Sequence, residues 1–83
     1  MALVTGSQLR AARAMLRMEQ EVLARSAGIS ANTIRNLERH EGRIEGRLST
    51  IRALQHALEE AGVEFIPGNG SGPGVRLREP LAA

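Results

Sequence analysis

Apolar residues near the start of the chain recur at the spacing of an α-helix. Leu9, Ala12 and Leu16 are separated by three and four residues, so they share one face of a helix. The stretch Thr5-Gly-Ser-Gln8 before them has the form of a capping box. The pattern predicts a first helix over about residues 6–17. The positions predicted to fill the core beside this helix are Met15 and Met18.

Two further short helices are predicted on either side of a turn. Gly28 fits the left-handed residue that ends a helix over about 20–27. Ser30 fits the cap of a helix over about 31–39. The positions predicted to face the core are Val22, Leu23 and Ala27 in the first of these helices, and Ile34 and Leu37 in the second.

A longer helix is predicted after a glycine-containing loop at residues 40–47. Ser49 fits its cap, so the helix is expected over about 50–61, and Gly62 ends it. The apolar stripe predicted for this helix consists of Ile51, Leu54, Leu58 and Ala61.

The period of the pattern changes after Gly62. Residues 63–66 and 75–78 alternate between apolar and polar, as strands do, and a Gly/Pro-rich stretch at 67–74 separates them. This predicts a β-hairpin, or two strands with a flexible joint, in which Glu64 meets Arg76 or Arg78 across the strands. A two-stranded hairpin is marginally stable in water, so the strands are expected either to pack on the last helix or to pair with a second subunit. The predicted dimerisation residues are Val63, Phe65, Ile66, Val75 and Leu77.

The predicted architecture is mainly α, with a four-to-five-helix bundle in residues 1–62, a β-strand tail in 63–79 and a frayed C-terminus at 80–83. With 83 residues the chain is at most one small domain. It has no cysteine, which excludes disulfides and thiolate metal sites. No long apolar run or signal peptide is evident, so no membrane contact is predicted and the expected compartment is the cytoplasm, in association with the nucleoid.

Charge is distributed unevenly along the chain. All eleven basic residues are Arg, and all nine acidic residues are Glu. Residues 1–58 hold nine Arg and five Glu, a net charge of +4, and residues 59–83 hold two Arg and four Glu, a net charge of −2. The front of the chain therefore favours a polyanion, for which the Arg fork is suited. An enzyme is disfavoured, because the chain has no Cys, no Asp and no paired acid–base cluster, and no cofactor or metal is predicted.

The stretch "QEVLARSAGISANTIRNLER", residues 20–39, has the features that a DNA-binding helix-turn-helix requires. Ala24 supplies a small residue where the helices cross, Gly28 supplies the turn, and apolar side chains lie on both sides. In such a motif the second helix enters the major groove. The side chains predicted to point away from the core are those of Ala31, Asn32, Arg35 and Asn36.

These residues resemble the phage repressor/Cro-type (XRE-like) helix-turn-helix family of transcriptional regulators. The resemblance covers about residues 8–61, and the tail at 61–78 is similar to an ending found on many small bacterial members. The segments that carry it are "LRAAR" (9–13), "QEVLA" (20–24), "AGIS" (27–30) and "TIRNLE" (33–38).

The resemblance implies roles for individual residues. Gln20 matches a glutamine that contacts backbone phosphate, and Arg13 and Glu38 match a structural ion pair between the first and third helices. Asn32 is suited to adenine, and Arg35 to guanine or phosphate. The DNA-binding residues that the resemblance implies are Gln20, Ser30, Ala31, Asn32, Thr33, Arg35, Asn36, Arg39 and Arg43.

Two features depart from the family pattern. Glu19 stands where the family usually has a Ser or Thr cap, and its carboxylate would lie near phosphate. Glu41 and Glu45 alternate with arginines in the loop at 40–47.

The motif and the resemblance together predict a homodimeric regulator, a repressor or modulator, that binds a near-palindromic site in double-stranded DNA. The alternative is a protein-binding module on the same fold, such as an antitoxin or anti-activator, whose partner is a second regulatory protein.

Overall fold

The structure, a computed structural model, describes residues 2–79. It contains four helices followed by an antiparallel hairpin, which confirms the mainly α class, and no fifth helix is present within those residues. The C-terminal residues 80–83, predicted to be frayed, lie outside the described range. The elements are α1 Gly6–Leu16, α2 Gln20–Ala27, α3 Ala31–Glu38, α4 Leu48–Ala61, β1 Val63–Ile66 and β2 Gly74–Leu77.

The start of α1 follows from local capping chemistry. The Thr5 hydroxyl accepts a hydrogen bond from the Gln8 backbone N–H at 3.0 Å, and the Gln8 side-chain oxygen accepts one from the Thr5 N–H at 3.0 Å. This reciprocal pair is the predicted capping box. The helix ends at Leu16, one residue before the predicted end, because Arg17 adopts the left-handed conformation with φ 53°.

The predicted start of α4 is wrong by two residues. The helix begins at Leu48, because the Arg47 carbonyl already accepts the first helical hydrogen bond, from the Ile51 N–H at 3.1 Å. Ser49 therefore lies inside the first turn rather than at the cap, and no side chain caps this helix. Leu54 and Leu58 are buried as predicted, whereas Ala61 is exposed.

The core lies between the four helices and the inner face of the hairpin. Besides Ala61, two more positions predicted to face the core are exposed: Met15 is 44% and Val22 is 39% exposed. Each lies one residue, about 100° of helical rotation, from the inward-facing stripe of its short helix. The buried apolar residues are Leu3, Leu9, Ala12, Leu23, Ile34, Leu37, Ile44, Leu54, Leu58, Val63 and Phe65.

The segment before α1 and the loop after α3 close one end of this core. Ile44 donates its backbone N–H to the Val4 carbonyl at 2.9 Å, and Thr5 and Arg43 form an isolated antiparallel bridge. This pairing buries Leu3 and Ile44, which the sequence pattern did not identify as core residues.

The hairpin packs on α1 and α4 within the same chain. Val63 pairs with Leu77 and Phe65 with Val75. Glu64 accepts a hydrogen bond from Arg76 Nε at 3.0 Å, which is the first of the two predicted cross-strand pairs. In the part of the chain that the structure describes, no helix has the length and apolar character needed to span a membrane.

Candidate nucleic-acid interface

The turn between α2 and α3 is built by one glycine and one serine. Gly28 has φ 70°, and its N–H donates to the Ala24 carbonyl, as does the Ile29 N–H at 3.0 Å. The Ser30 hydroxyl then accepts the Thr33 N–H at 3.1 Å and caps α3. These contacts orient α3 relative to α2 without using any side chain on the outer face of α3.

The outer face of α3 is polar and has no partner within the described chain. Ile34 and Leu37 are buried, whereas Asn32, Arg35 and Asn36 are exposed. These three exposed side chains form no hydrogen bond or ion pair with any of residues 2–79. We call them the α3 outer face. The half-buried residues Ala31 and Thr33 lie at the start of the same helix.

Arg39 and Arg43 extend the basic surface beyond the end of α3. Arg39 is the C-cap residue of α3, and Arg43 lies in the following loop. Both are exposed, and neither forms an ion pair within residues 2–79. Glu41 and Glu45 are also exposed and likewise take part in none of the ion pairs of that range. The acids of this loop therefore do not neutralise its arginines by direct contact.

A nearly buried carboxylate connects α1, α2 and α3. Glu38 is 4% exposed and accepts two hydrogen bonds from Arg13, at 2.6 and 2.8 Å. The Arg13 guanidinium also donates to the Met18 carbonyl at 2.8 Å. The hydrogen bond to Glu38 raises the pKa of Arg13, and burial opposes this effect. The guanidinium therefore keeps its charge throughout the neutral range.

Gln20 is part of this cluster. Its Nε2 donates to Glu38 Oε1 at 3.1 Å, and the residue is half buried at the first position of α2. The resemblance implied that Gln20 contacts backbone phosphate and helps to place a base contact, whereas its bond to Glu38 became visible only in the tertiary structure. The amide oxygen and the second N–H of this side chain form no hydrogen bond within residues 2–79.

Glu19, the departure noted in the sequence, is the N-cap residue of α2 and is exposed. Its side chain makes no capping hydrogen bond, so the first N–H groups of α2 have no side-chain partner at the cap. The start of α2 therefore carries both free donors and a carboxylate, which have opposite effects on a nearby anion.

Gly6 holds the other end of α3 in place. Its N–H donates to the Gly42 carbonyl at 3.2 Å, and Arg10 donates to the Glu38 carbonyl. A Cβ at Gly6 would lie 1.8 Å from the His40 carbonyl oxygen and 2.5 Å from that of Leu37. Sequence reasoning missed this close approach. The signal in the sequence that was overlooked is a glycine at the first position of a helix, directly after the cap residue.

Two relatives in the comparisons match most of the chain, whereas no protein-family model matches it. Both are named "Uncharacterized HTH-type transcriptional regulator", one from Sinorhizobium medicae (strain WSM419) and one from Rhizobium meliloti (strain 1021). Each is 35% identical over 75 residues, which cover 89% of this chain and 54% of the relative. The chain thus spans about half the length of these relatives, and over that span it is similar to proteins named as helix-turn-helix-type transcriptional regulators.

Proposed function

We propose that the chain is a sequence-specific DNA-binding regulator of the phage repressor/Cro (XRE-like) type, a repressor or modulator that acts as a homodimer. The α3 outer face carries this proposal. It consists of two amides and one guanidinium without intramolecular partners, presented by a helix whose orientation is fixed at both ends. The names of the two relatives support a regulatory role.

In the proposed complex α3 lies in the major groove. Asn32 and Asn36 carry the side-chain amide that pairs with the N6 and N7 atoms of adenine, and Arg35 donates to guanine or to a phosphate. Ala31 offers only a methyl group, which suits the thymine methyl. These contacts determine the preferred sequence.

Contacts to phosphates hold the protein in register and do not depend on sequence. Arg39 and Arg43 supply charge beyond the end of α3. Gln20 can donate its second N–H while its first stays on Glu38, and Arg13 neutralises that carboxylate. Ser30 and Thr33 add hydroxyl groups at the start of α3.

Asn32→Ala is expected to weaken binding to the preferred DNA site by about 1–3 kcal/mol and to relax the preference at one base pair. Asn32 is exposed and unbonded, so stability should stay the same. Selection of a site from random duplexes, followed by fluorescence anisotropy on that site and on single-base variants, measures both effects. The matched control is Asn69→Ala in the hairpin loop, which should bind like the parent. An equal loss on every sequence would make Asn32 a phosphate contact instead.

Glu19→Ser is expected to stabilise the fold by about 1 kcal/mol, because serine can cap α2. It should also strengthen DNA binding and make it more salt-dependent, since a carboxylate near phosphate is removed. Glu21→Ser is the matched control, because it removes a neighbouring exposed charge without creating a cap. If both variants gain the same stability, capping is not the cause. If neither binds DNA more tightly, α2 does not face the phosphates.

The homodimer is proposed to join two subunits through the hairpin, so that two α3 helices bind half-sites about 34 Å apart or a multiple of that distance. Val63 and Phe65 are buried within the single chain, which leaves Ile66, Val75 and Leu77, all half buried, for contact with a second copy. Deleting the hairpin would also remove core residues, so it would confuse dimerisation with folding.

Ile66→Glu is a cleaner test, because Ile66 is half exposed and is not among the side chains packed on the core. It is expected to convert the dimer to a folded monomer in sedimentation equilibrium and to weaken DNA binding. Val22→Glu, at an exposed aliphatic residue on α2, is the control and should leave the dimer intact. A dimer that survives Ile66→Glu would place the subunit contact elsewhere.

One observation favours the alternative, a protein-binding module. Glu19 and Glu21 are both exposed at the start of α2, beside the proposed phosphate contact Gln20. Salt dependence separates the two functions. A DNA complex with several phosphate contacts loses affinity steeply as salt rises. The alternative is favoured if selection at low salt yields no duplex that binds and the chain captures a defined regulatory protein.

A further inference from the structure

A groove of about 560 Å³ lies where the chain before α1, the loop after α3 and the start of α4 meet. Its walls are aliphatic, and two arginines line it as well. Leu48 in this wall is 54% exposed, the highest value among the large apolar residues of the described chain. The lining residues that matter here are Val4, Ile44, Leu48, Ile51, Arg43 and Arg52.

DNA binding does not account for this groove. Phosphates and sugars would use the arginines, but they offer little to an aliphatic wall. Arg43 and Arg52 are exposed, and neither forms an ion pair or a side-chain hydrogen bond with another of residues 2–79. An aliphatic surface beside two unpaired guanidinium groups matches an occupant that combines an apolar body with an anionic head.

We propose that this groove binds a small aliphatic carboxylate, with the chain on Leu48 and Ile51 and the carboxylate on Arg52 and Arg43. Arginine binds carboxylates through two parallel hydrogen bonds, which adds direction to the charge attraction. The size of the groove favours a small molecule, because ligand pockets are typically about 300–1,000 Å³. A stable protein interface needs roughly 20–30 residues on each side, far more than line this groove.

The position of Arg43 gives the site a consequence for DNA binding. Arg43 is also one of the proposed phosphate contacts, so a carboxylate on it competes with phosphate. A ligand that lowers affinity for DNA must, by linkage, bind less tightly when DNA is bound. This part of the inference rests on the proposed function, whereas binding of the carboxylate does not.

The first experiment uses the whole chain and octanoate, followed by amide ¹⁵N–¹H spectra. Octanoate is expected to shift the Ile44, Leu48 and Ile51 signals in a saturable manner, whereas acetate and 1-octanol, which each lack one half of the recognised group, should bind at least tenfold more weakly. Equal shifts from 1-octanol would show nonspecific hydrophobic binding and overturn the proposal. Octanoate-induced shifts spread over the whole chain would overturn it as well.

Two variants test the assigned contacts. Arg52→Gln should weaken octanoate at least about tenfold, because a charge-assisted hydrogen bond is lost. Leu48→Ser should weaken it by a similar factor while the fold is kept, since Leu48 is exposed. Arg25→Gln, at an exposed arginine on α2 outside the groove, is the matched control and should bind octanoate like the parent. Unchanged binding in Arg52→Gln and Leu48→Ser would overturn the proposal.

The remaining outcomes distinguish the ligand from a second copy of the chain in the groove. They also distinguish failure of the ligand site from failure of the proposed function. Loss of self-association in Leu48→Ser, without octanoate binding by the parent, would assign the groove to a second copy and overturn the proposal. Octanoate should reduce binding to a selected duplex in the parent and have at least tenfold less effect in Arg52→Gln. If no duplex binds but octanoate does, the ligand site stands and the proposed function fails. If duplex binds and is insensitive to bound octanoate, the coupling through Arg43 is wrong.

Discussion

Replacing Gly6 with alanine is expected to lower the free energy of unfolding by about 3 kcal/mol or more, a large part of the roughly 5–15 kcal/mol typical of a small domain. The added Cβ would overlap two carbonyl oxygens, at 1.8 Å from His40 and 2.5 Å from Leu37. Both belong to backbone at the end of α3, so a change of side-chain rotamer cannot relieve the overlap. Only separation of α1 from α3 can.

Urea unfolding followed by far-ultraviolet circular dichroism measures this effect. Gly42→Ala is the matched control, since it lies in the adjoining loop and a Cβ there meets nothing within 4 Å. Its effect should stay within about 0.5 kcal/mol. If the two variants unfold at the same denaturant concentration, α1 and α3 do not approach as closely as described.

The second large effect is expected for Arg13→Ala, at about 3–5 kcal/mol, because it leaves the carboxylate of Glu38 buried without its cation. The variant also loses the hydrogen bond to the Met18 carbonyl. Because the Glu38 hydrogen bond raises the pKa of Arg13, the folded chain releases that proton only at a higher pH than the unfolded chain does. The stabilisation is therefore complete below the unfolded pKa and is lost only as strongly alkaline pH passes the folded one.

Thermal and urea unfolding should consequently show a lower free energy of unfolding for Arg13→Ala than for the parent. The difference should be present at neutral and at mildly alkaline pH alike. Arg76→Ala is the matched control, since it breaks an ion pair whose side chains are 65% and 44% exposed. Exposed pairs contribute roughly 0–1 kcal/mol, so its melting temperature should change little. A comparable small change in Arg13→Ala would mean that Glu38 is solvated after all.

Local chemistry explains which parts of the fold could be predicted from sequence. The capping box at Thr5, the left-handed Gly28 and the Ser30 cap act within a few residues, so α2 was located fully and α1 and α3 to within one residue. Ser49 has the same chemistry as Ser30, yet the helix starts before it. In two- and three-turn helices the pattern also did not separate Val22 and Met15 from the inward face.

The rest depends on contacts between distant residues. The bridge that buries Ile44 joins the chain start to the loop after α3, and no periodic pattern in the sequence records it. The α3 outer face follows from helical spacing alone, because Ile34 and Leu37 determine which side is buried. The link from Gln20 to Glu38 does not, because it requires the relative placement of two helices.

If α3 reads DNA as proposed, the contact at Gly6 separates the docking angle of this helix from its base preference. Because backbone meets backbone there, the docking angle of α3 cannot be adjusted gradually by changing side-chain size. Under the proposed function, base preference depends instead on three side chains that form no hydrogen bond or ion pair within residues 2–79. The proposed function therefore implies that exchanging Asn32, Arg35 and Asn36 gives new base preferences on an unchanged scaffold. This makes the chain a suitable starting point for building libraries of binding domains with a common geometry.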